Sequence, residues 1–513
     1  LNGGAAQVAL QSPAVALPAS PAVENRHSPA AVSAIAAVAV GAWVAAAALR
    51  FGHSLTVDEP FMANVVRGGW RDITPVFAGD NVPLGYALLW SWTRLFGESE
   101  FALRSLSMTA FAGAVFLTGL AARQAAGAAA GVVAAILAAA SVNIGLTHAS
   151  NARPYALLCC MAAAATWISL VIIRRPTNTR ASALTRSGVL LVIHLLGLFT
   201  HPTYALFLTA LILASLWVPR DARLSLLAAG VTAVAIYLVL WWPVLRGTFE
   251  AGATRWMASA AWLDVPYAGM LIWGTGRGAV LLGAVLVLAL ATPAAASRLF
   301  KAPVARWMLM TAMLGWLVPL AVSLWQPVFF PGRTPVLLLP ATAAALSIVI
   351  VPLASRPALV ALCAVVASGP LITLAGGFGI RDPTPTRSSV ATVLERAACG
   401  DIVVAAGLSY DGVSFYLRQL DTRRCLLARP YPGDVRILNA ATDTAERLRE
   451  RARTLAAELI GQRSAVWAFL ATRGFGAEAS EMLAAELRRT MACAEVMPLS
   501  GAAFNQVMAC RPH

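Results

Sequence analysis

Residues 31–49 read AVSAIAAVAVGAWVAAAAL, and after a short break residues 55–70 read LTVDEPFMANVVRGGW. The first stretch carries no charged side chain along its whole length, which is close to the ~20 residues that a helix needs to cross a bilayer core. The second brings two adjacent carboxylates, Asp58 and Glu59, just after the apolar run has ended. Carboxylates are costly inside hydrocarbon unless solvated or paired. An apolar crossing followed at once by two acids therefore predicts a chain that passes through lipid and keeps ionisable chemistry at the water boundary.

The first pattern recurs. Apolar runs lie near 31–49, 103–122, 128–146, 155–173, 187–200, 203–218, 225–243, 278–296, 307–325, 335–353 and 357–378, about eleven in all. They predict a polytopic α-helical membrane protein. Composition agrees: of 513 residues 59% are hydrophobic and only 12% charged, with a mean hydropathy of +0.71. A soluble domain carries about 25% charged residues. Residues 1–30 are rich in Ala, Pro and Ser and lack the apolar core of a cleavable signal, so they read as a disordered tail on the cytoplasmic side.

A net charge of +15 raises nucleic acid as a partner, but the distribution argues against it. Residues 1–380 hold 22 Lys/Arg against 10 Asp/Glu, and residues 381–513 hold 17 against 14, so the excess belongs to the apolar part. Basic residues there flank crossings and meet anionic lipid. Arg123, Arg174, Arg175, Arg180, Arg186, Arg220, Arg223, Arg298, Lys301, Arg306 and Arg356 fall in short loops on one side, which the positive-inside rule assigns to the cytoplasm. On the other side lies the long loop 50–102, with six acids: Asp58, Glu59, Asp72, Asp80, Glu98 and Glu100. Within it, 59–70 and 84–96 are too short to cross and read as interfacial helices.

The character changes after residue 380. Arg381-Asp382-Pro383-Thr384-Pro385 reads as a linker. Helical patterns at 387–398, 441–459 and 477–490 then alternate with strands at 401–406, 464–471 and two more that end near 510. Residues 381–513 therefore form a small α/β domain, placed outside the cytoplasm by the odd number of crossings. Its four cysteines, Cys399, Cys425, Cys493 and Cys510, allow three disulfide pairings, and pairing requires that oxidising side.

Asp58-Glu59 and the later segments Asp80-Asn81-Val82-Pro83-Leu84-Gly85-Tyr86, Glu98-Ser99-Glu100-Phe101, Asn151-Ala152-Arg153-Pro154-Tyr155 and Thr200-His201-Pro202-Thr203-Tyr204 occur in a definite order against the crossings. In this they resemble the GT-C glycosyltransferases, in the family 39-like branch that holds protein O-mannosyltransferases and the lipid A aminoarabinose transferase. The resemblance covers residues 31–380, and Val82 departs from it where a proline is usual. It implies transfer of a sugar from a polyprenyl-phosphate donor to a lipid, polysaccharide or protein acceptor, at the periplasmic face of a bacterial inner membrane.

The chemistry of that reaction suits these residue types. A phosphate leaving group needs positive charge, which arginine supplies through paired N–H donors. A hydroxyl acceptor needs a base, and a single carboxylate suffices for inverting displacement. The resemblance casts Asp58 as that base. Glu59 then orients it, contacts the acceptor or helps to hold a divalent metal ion, while the pair also reads as an N-cap and first-turn acid. Asp80 reads either as an acceptor or metal contact or as a turn residue. Arg104, Arg153, Arg255 and Arg333, with Tyr155, are candidates for the donor phosphate; Arg104 and Arg153 also read as anchors at the ends of crossings. His201 reads as structural. Gly274-Thr275-Gly276-Arg277-Gly278 lacks the Lys-Ser/Thr of a phosphate loop, and no His/Cys spacing fits zinc. The alternative function is a carrier of lipid-linked sugar, and the C-terminal domain could serve in acceptor recognition.

Overall fold

The computed structural model describes residues 28–50, 52–56, 58–76, 82–174, 180–250, 261–291, 301–377, 385–407, 409–433, 444–471, 477–497 and 505–513. Residues 1–27 of the expected tail 1–30, Asp80, Arg255 and most of the linker after 380 lie outside these residues, and Pro29 and Ala30 already belong to the first helix. Among the described residues, eight helices are long and apolar enough to cross a membrane: Pro29–Leu49, Glu100–Ala126, Tyr155–Arg174, Ala181–Thr200, Arg220–Gly247, Pro303–Ser323, Thr334–Leu353 and Arg356–Ala375. Two bent pairs, Ala128–Ala139 with Val142–Ala149 (55°) and Asp264–Leu271 with Thr275–Leu288 (105°), raise the number to as many as ten, and Tyr204–Trp217 is a shorter apolar helix. The chain is thus a multi-pass helical membrane protein. Three expected straight crossings, 128–146, 203–218 and 278–296, correspond to the broken and short elements.

Small residues set the close packing. At Gly119 a Cβ would lie 2.6 Å from Ile35, and at Gly131 it would lie 2.8 Å from the Gly119 carbonyl. Helices 29–49, 100–126 and 128–139 therefore approach to backbone distance, as small residues permit in lipid. The 55° break is also local. The Ser141 hydroxyl donates back to the Ala138 carbonyl (2.5 Å), a π-helical turn follows at Val142–Leu146, and a Cβ at Gly145 would collide with Phe111. This break turns the chain so that His148 and the loop 150–154 lie at the same end of the bundle as Asp58.

That end is covered by three short helices, Asp58–Arg67, Trp70–Val76 and Pro83–Phe96. The third has Pro83 at its first turn, where the missing N–H has no intrahelical partner to lose. After it, Ser99 caps helix 100–126 by accepting from the Ala102 amide (3.2 Å), which places Arg104 just inside that helix.

Among the described residues of the C-terminal region there are five strands: β1 (Ile402–Ala406), β2 (Ala428–Tyr431), β3 (Val466–Ala471), β4 (Ala492–Met497) and β5 (Asn505–Arg511). Their order is β2-β1-β3-β5-β4, with β1 parallel to β2 and β3, and β5 antiparallel to β3 and β4. Strands β1 and β3 are buried throughout, as a sheet covered on both faces requires. Helix Ser409–Leu420 and the four-residue edge strand β2 did not emerge from the sequence pattern; Gly412 and Pro430 interrupt the runs that would have marked them. Of the three pairings open to the cysteines, the structure has Cys399–Cys425 and Cys493–Cys510, the latter directly opposed across β4 and β5. One apolar core joins this region to the loop 50–102: Leu55, Met62, Val65 and Val66 pack with Val390, Val393, Phe415 and Tyr416.

Candidate active site

Glu59 organises the loop. Its carboxylate reaches back to the Thr56 amide (2.7 Å) and hydroxyl (2.9 Å), the reciprocal bond of a capped helix start in a Thr-x-x-Glu sequence. It also takes Arg104 in a paired grip, Nε to Oε1 and Nη2 to Oε2, both at 2.9 Å, and accepts from the Ala152 amide at 2.7 Å. The side chain is fully buried. Burial by itself raises a carboxyl; here the Arg104 charge and the bonds from Arg104, Thr56 and Ala152 outweigh it and hold Glu59 below its usual range.

Arg104 is equally enclosed, at 2% exposure. Besides Glu59 it donates from Nη1 to the carbonyls of Arg50 (3.2 Å) and His53 (2.9 Å), and from Nη2 to that of Ser54 (2.8 Å). All five guanidinium hydrogens are thereby matched to acceptors. This corrects the expectation of Arg104 as a phosphate ligand: it has no donor to offer, and it holds the backbone that leads to Asp58.

Asp58 is open where its neighbour is sealed. Its side chain is 51% exposed and meets Arg153 Nη1 at 3.3 Å. The contact is set by Glu59, because Asp58 precedes Glu59 and Arg153 follows Ala152, whose amide Glu59 holds. The Arg153 carbonyl is fixed in turn by the Ser107 hydroxyl (3.0 Å). The Arg153 guanidinium carbon lies 5.6 Å from the ring centre of Tyr155.

Tyr155 is where the expected cations converge. Arg333 lies 5.7 Å from its ring centre and 5.4 Å from that of Phe330. The loop that carries Arg333 is wired locally: Ser323 accepts from the Phe329 amide (2.8 Å), and the Thr334 hydroxyl accepts from the Phe330 amide (2.9 Å). His148 Nε2 meets the Gly332 carbonyl at 2.8 Å, so His148 fastens the residue next to Arg333. Its ring is 4.8 Å from Tyr155, and that of His201 is 5.5 Å away on the same tyrosine. His201 Nδ1 accepts from the Thr203 amide (3.3 Å), which leaves its proton on Nε2. Burial, and then the charges of Arg153 and Arg333, push its imidazole down to about 4.

The structure thus gathers Asp58, Glu59, Arg153, Tyr155 and Arg333 at one end of the bundle and adds two histidines. His148 lies just beyond the apolar run 128–146 and outside every motif singled out in the sequence. His201 was read as structural and stands at the same aromatic ring. Asp58 and Glu59 are each engaged by an arginine, and no group of three or more His, Cys, Asp or Glu side chains with metal-holding geometry occurs among the described residues.

No protein-family profile matches the chain, and no curated protein matches it in sequence. Solved structures do match. ArnT from Cupriavidus metallidurans in the apo state aligns with a TM-score of 0.62 at 14% identity, over 93% of this chain and 97% of that one. The same protein bound to undecaprenyl phosphate gives 0.61 at 13%, over the same shares. The Archaeoglobus fulgidus oligosaccharyltransferase AglB, in complex with an inhibitory peptide and a dolichol-phosphate, gives 0.50 at 13%, over 84% of this chain and 69% of that one. The chain shares its overall fold with these structures.

Proposed function

We propose that this protein is a glycosyltransferase that moves a sugar from a polyprenyl-phosphate donor to an acceptor hydroxyl on a lipid, polysaccharide or protein. The observation that carries the reading is the half-exposed Asp58 carboxylate, 3.3 Å from an arginine that shares the Tyr155 ring with a second arginine. Asp58 takes the acceptor proton as the hydroxyl oxygen attacks C1 of the sugar. The bond from C1 to the donor phosphate breaks, inverting the anomeric carbon, and the polyprenyl phosphate departs with its new charge facing Arg153 and Arg333. Glu59 touches neither proton nor phosphate in this scheme; it sets the distance between base and clamp.

The site lies at the periplasmic face of an inner membrane in this reading, with the N-terminus cytoplasmic. Two disulfides in the C-terminal domain support an oxidising compartment at that end. The short basic loops at the other end support a cytoplasmic assignment there.

Mass spectrometry of envelope lipids, glycans and proteins from cells with and without the chain is the test. A component that gains a sugar only in its presence, and is not restored by Asp58→Asn, is the expected result. Restoration by Asp58→Asn removes Asp58 as base. Movement of intact lipid-linked sugar without transfer would favour a carrier instead.

A further inference from the structure

The segment that leads from the first crossing to Asp58 is held from two directions. On the membrane side, Arg104 binds the carbonyls of Arg50, His53 and Ser54. On the opposite side are two residues of the C-terminal region, Arg387 on helix Thr386–Arg396 and Tyr416 on helix Ser409–Leu420. The Arg387 amide donates to Ser54 Oγ (3.2 Å), its Nη2 to the Gly52 carbonyl (2.5 Å) and its Nη1 to Glu100 (2.8 Å). The Tyr416 hydroxyl accepts from the Leu55 amide (2.6 Å) and donates to the same Glu100 carboxylate.

Glu100 therefore joins both residues to the helix that carries Arg104. The contact continues along the Asp58 helix. Asn64 donates to Asp411 Oδ1 (2.8 Å) and Ser414 Oγ (3.2 Å) and accepts from Arg418, while Gln419 donates to the Glu98 carbonyl (3.0 Å). The Cys399–Cys425 disulfide links the chain just beyond one of the two C-terminal helices to the chain just beyond the other.

We propose that Tyr416 and Arg387 are positioning residues of the transfer reaction, fixing Asp58 by holding the backbone at residues 52–55. The inference rests on Asp58 as the base. Leu55 and Tyr416 are both buried, so the amide has no water to replace the lost partner if the hydroxyl is removed. A displacement of about 1 Å at a reacting group can cost on the order of 10²-fold in rate. Arg387 and Tyr416 act through Gly52, Ser54, Leu55 and Glu100, and the donor phosphate is met elsewhere, at Arg153 and Arg333.

The test uses the full chain. Tyr416→Phe keeps the ring that packs against Phe415, and Arg387→Gln alters a side chain that is 41% exposed, so both are expected to fold. Each is expected to lower sugar transfer in cells by about tenfold or more. In purified protein each should raise hydrogen exchange at amides 53–56 by a similar factor. Binding of undecaprenyl phosphate, used as the probe of the phosphate site, should stay within about threefold of wild type, less than the loss of one charged hydrogen bond would cause.

Wild-type transfer in both variants, or wild-type exchange at 53–56, overturns the proposal. So does a loss of undecaprenyl phosphate binding in step with the loss of transfer, since that marks a collapsed site. Asp58→Asn run alongside separates the two failures. If it is inactive while Tyr416→Phe and Arg387→Gln are wild type, only the positioning role falls; if it retains full transfer, the base falls and this inference with it.

Discussion

Asp58 and Glu59 are neighbours in sequence, acids of one charge, each paired with an arginine, yet they occupy opposite regions of the site. Glu59 and Arg104 are sealed, bonded at both ends of the carboxylate, and tied to five further backbone groups at Arg50, His53, Ser54, Thr56 and Ala152. Asp58 and Arg153 share one contact at 3.3 Å, with the carboxylate half exposed. A buried pair with every donor and acceptor matched holds its geometry and does no chemistry. An exposed pair can part to admit a substrate, and each partner then has an unmet charge to offer.

Breaking the sealed pair should have the largest effect. Glu59→Ala leaves the Arg104 charge buried without its partner, at a cost of about 3–5 kcal/mol in stability. A large fall in the melting temperature of the purified protein checks this, and an unchanged melting temperature would refute the division of labour. Breaking the open pair should act on rate instead. Asp58→Asn is expected to lower transfer by about 10²–10⁴-fold. Its melting temperature should barely move, because exposed pairs contribute only ~0–1 kcal/mol.

The clamp comes next. Arg153→Met or Arg333→Met should each weaken binding of undecaprenyl phosphate by about tenfold or more, the loss of a charged hydrogen bond worth ~1.5–3 kcal/mol. Arg104→Lys would sharpen the comparison: it should lower stability while sparing that binding in whatever protein folds. Titration calorimetry separates Arg104 from Arg153 and Arg333.

The smallest effect is in pH dependence. The Glu59 carboxyl is held below its usual value of 4.5, so its contribution to stability is complete above that value and disappears as the pH falls through its folded-state pKa. The melting temperature should accordingly be steady near neutrality and decline below about pH 4.5. In Glu59→Gln that acid-side decline should be shallower, from a lower starting point. An identical acid limb in both proteins would show that other carboxylates control it.

Much of the architecture was legible in advance because hydrocarbon imposes a simple rule. Each crossing must be an apolar helix of fixed length, and the eight long ones stand where the runs predicted them. The broken crossings were not legible, since Ser141 and Gly145 are unremarkable inside an apolar run until Phe111 and the π-helical turn are seen beside them. The same holds for His148, whose partner is a backbone carbonyl 184 residues away. Helix Ser409–Leu420, which carries Tyr416, has no clear helical pattern because Gly412 interrupts its run. One local signal is present in the sequence: Thr56-x-x-Glu59 is the pattern of a capped helix start, in which the glutamate reaches back.

By itself, then, the sequence determined that this protein lies in lipid, that its acids collect at one face, and which arginines stand near that face. Only the tertiary structure decided which acid is bound and which is open, and that Arg104 belongs to the scaffold while Arg153 and Arg333 share Tyr155. Successive helical residues point about 100° apart, so adjacent side chains can meet unrelated surroundings. The partners of Glu59 lie 45 and 93 residues further along the chain, and packing alone brings them there.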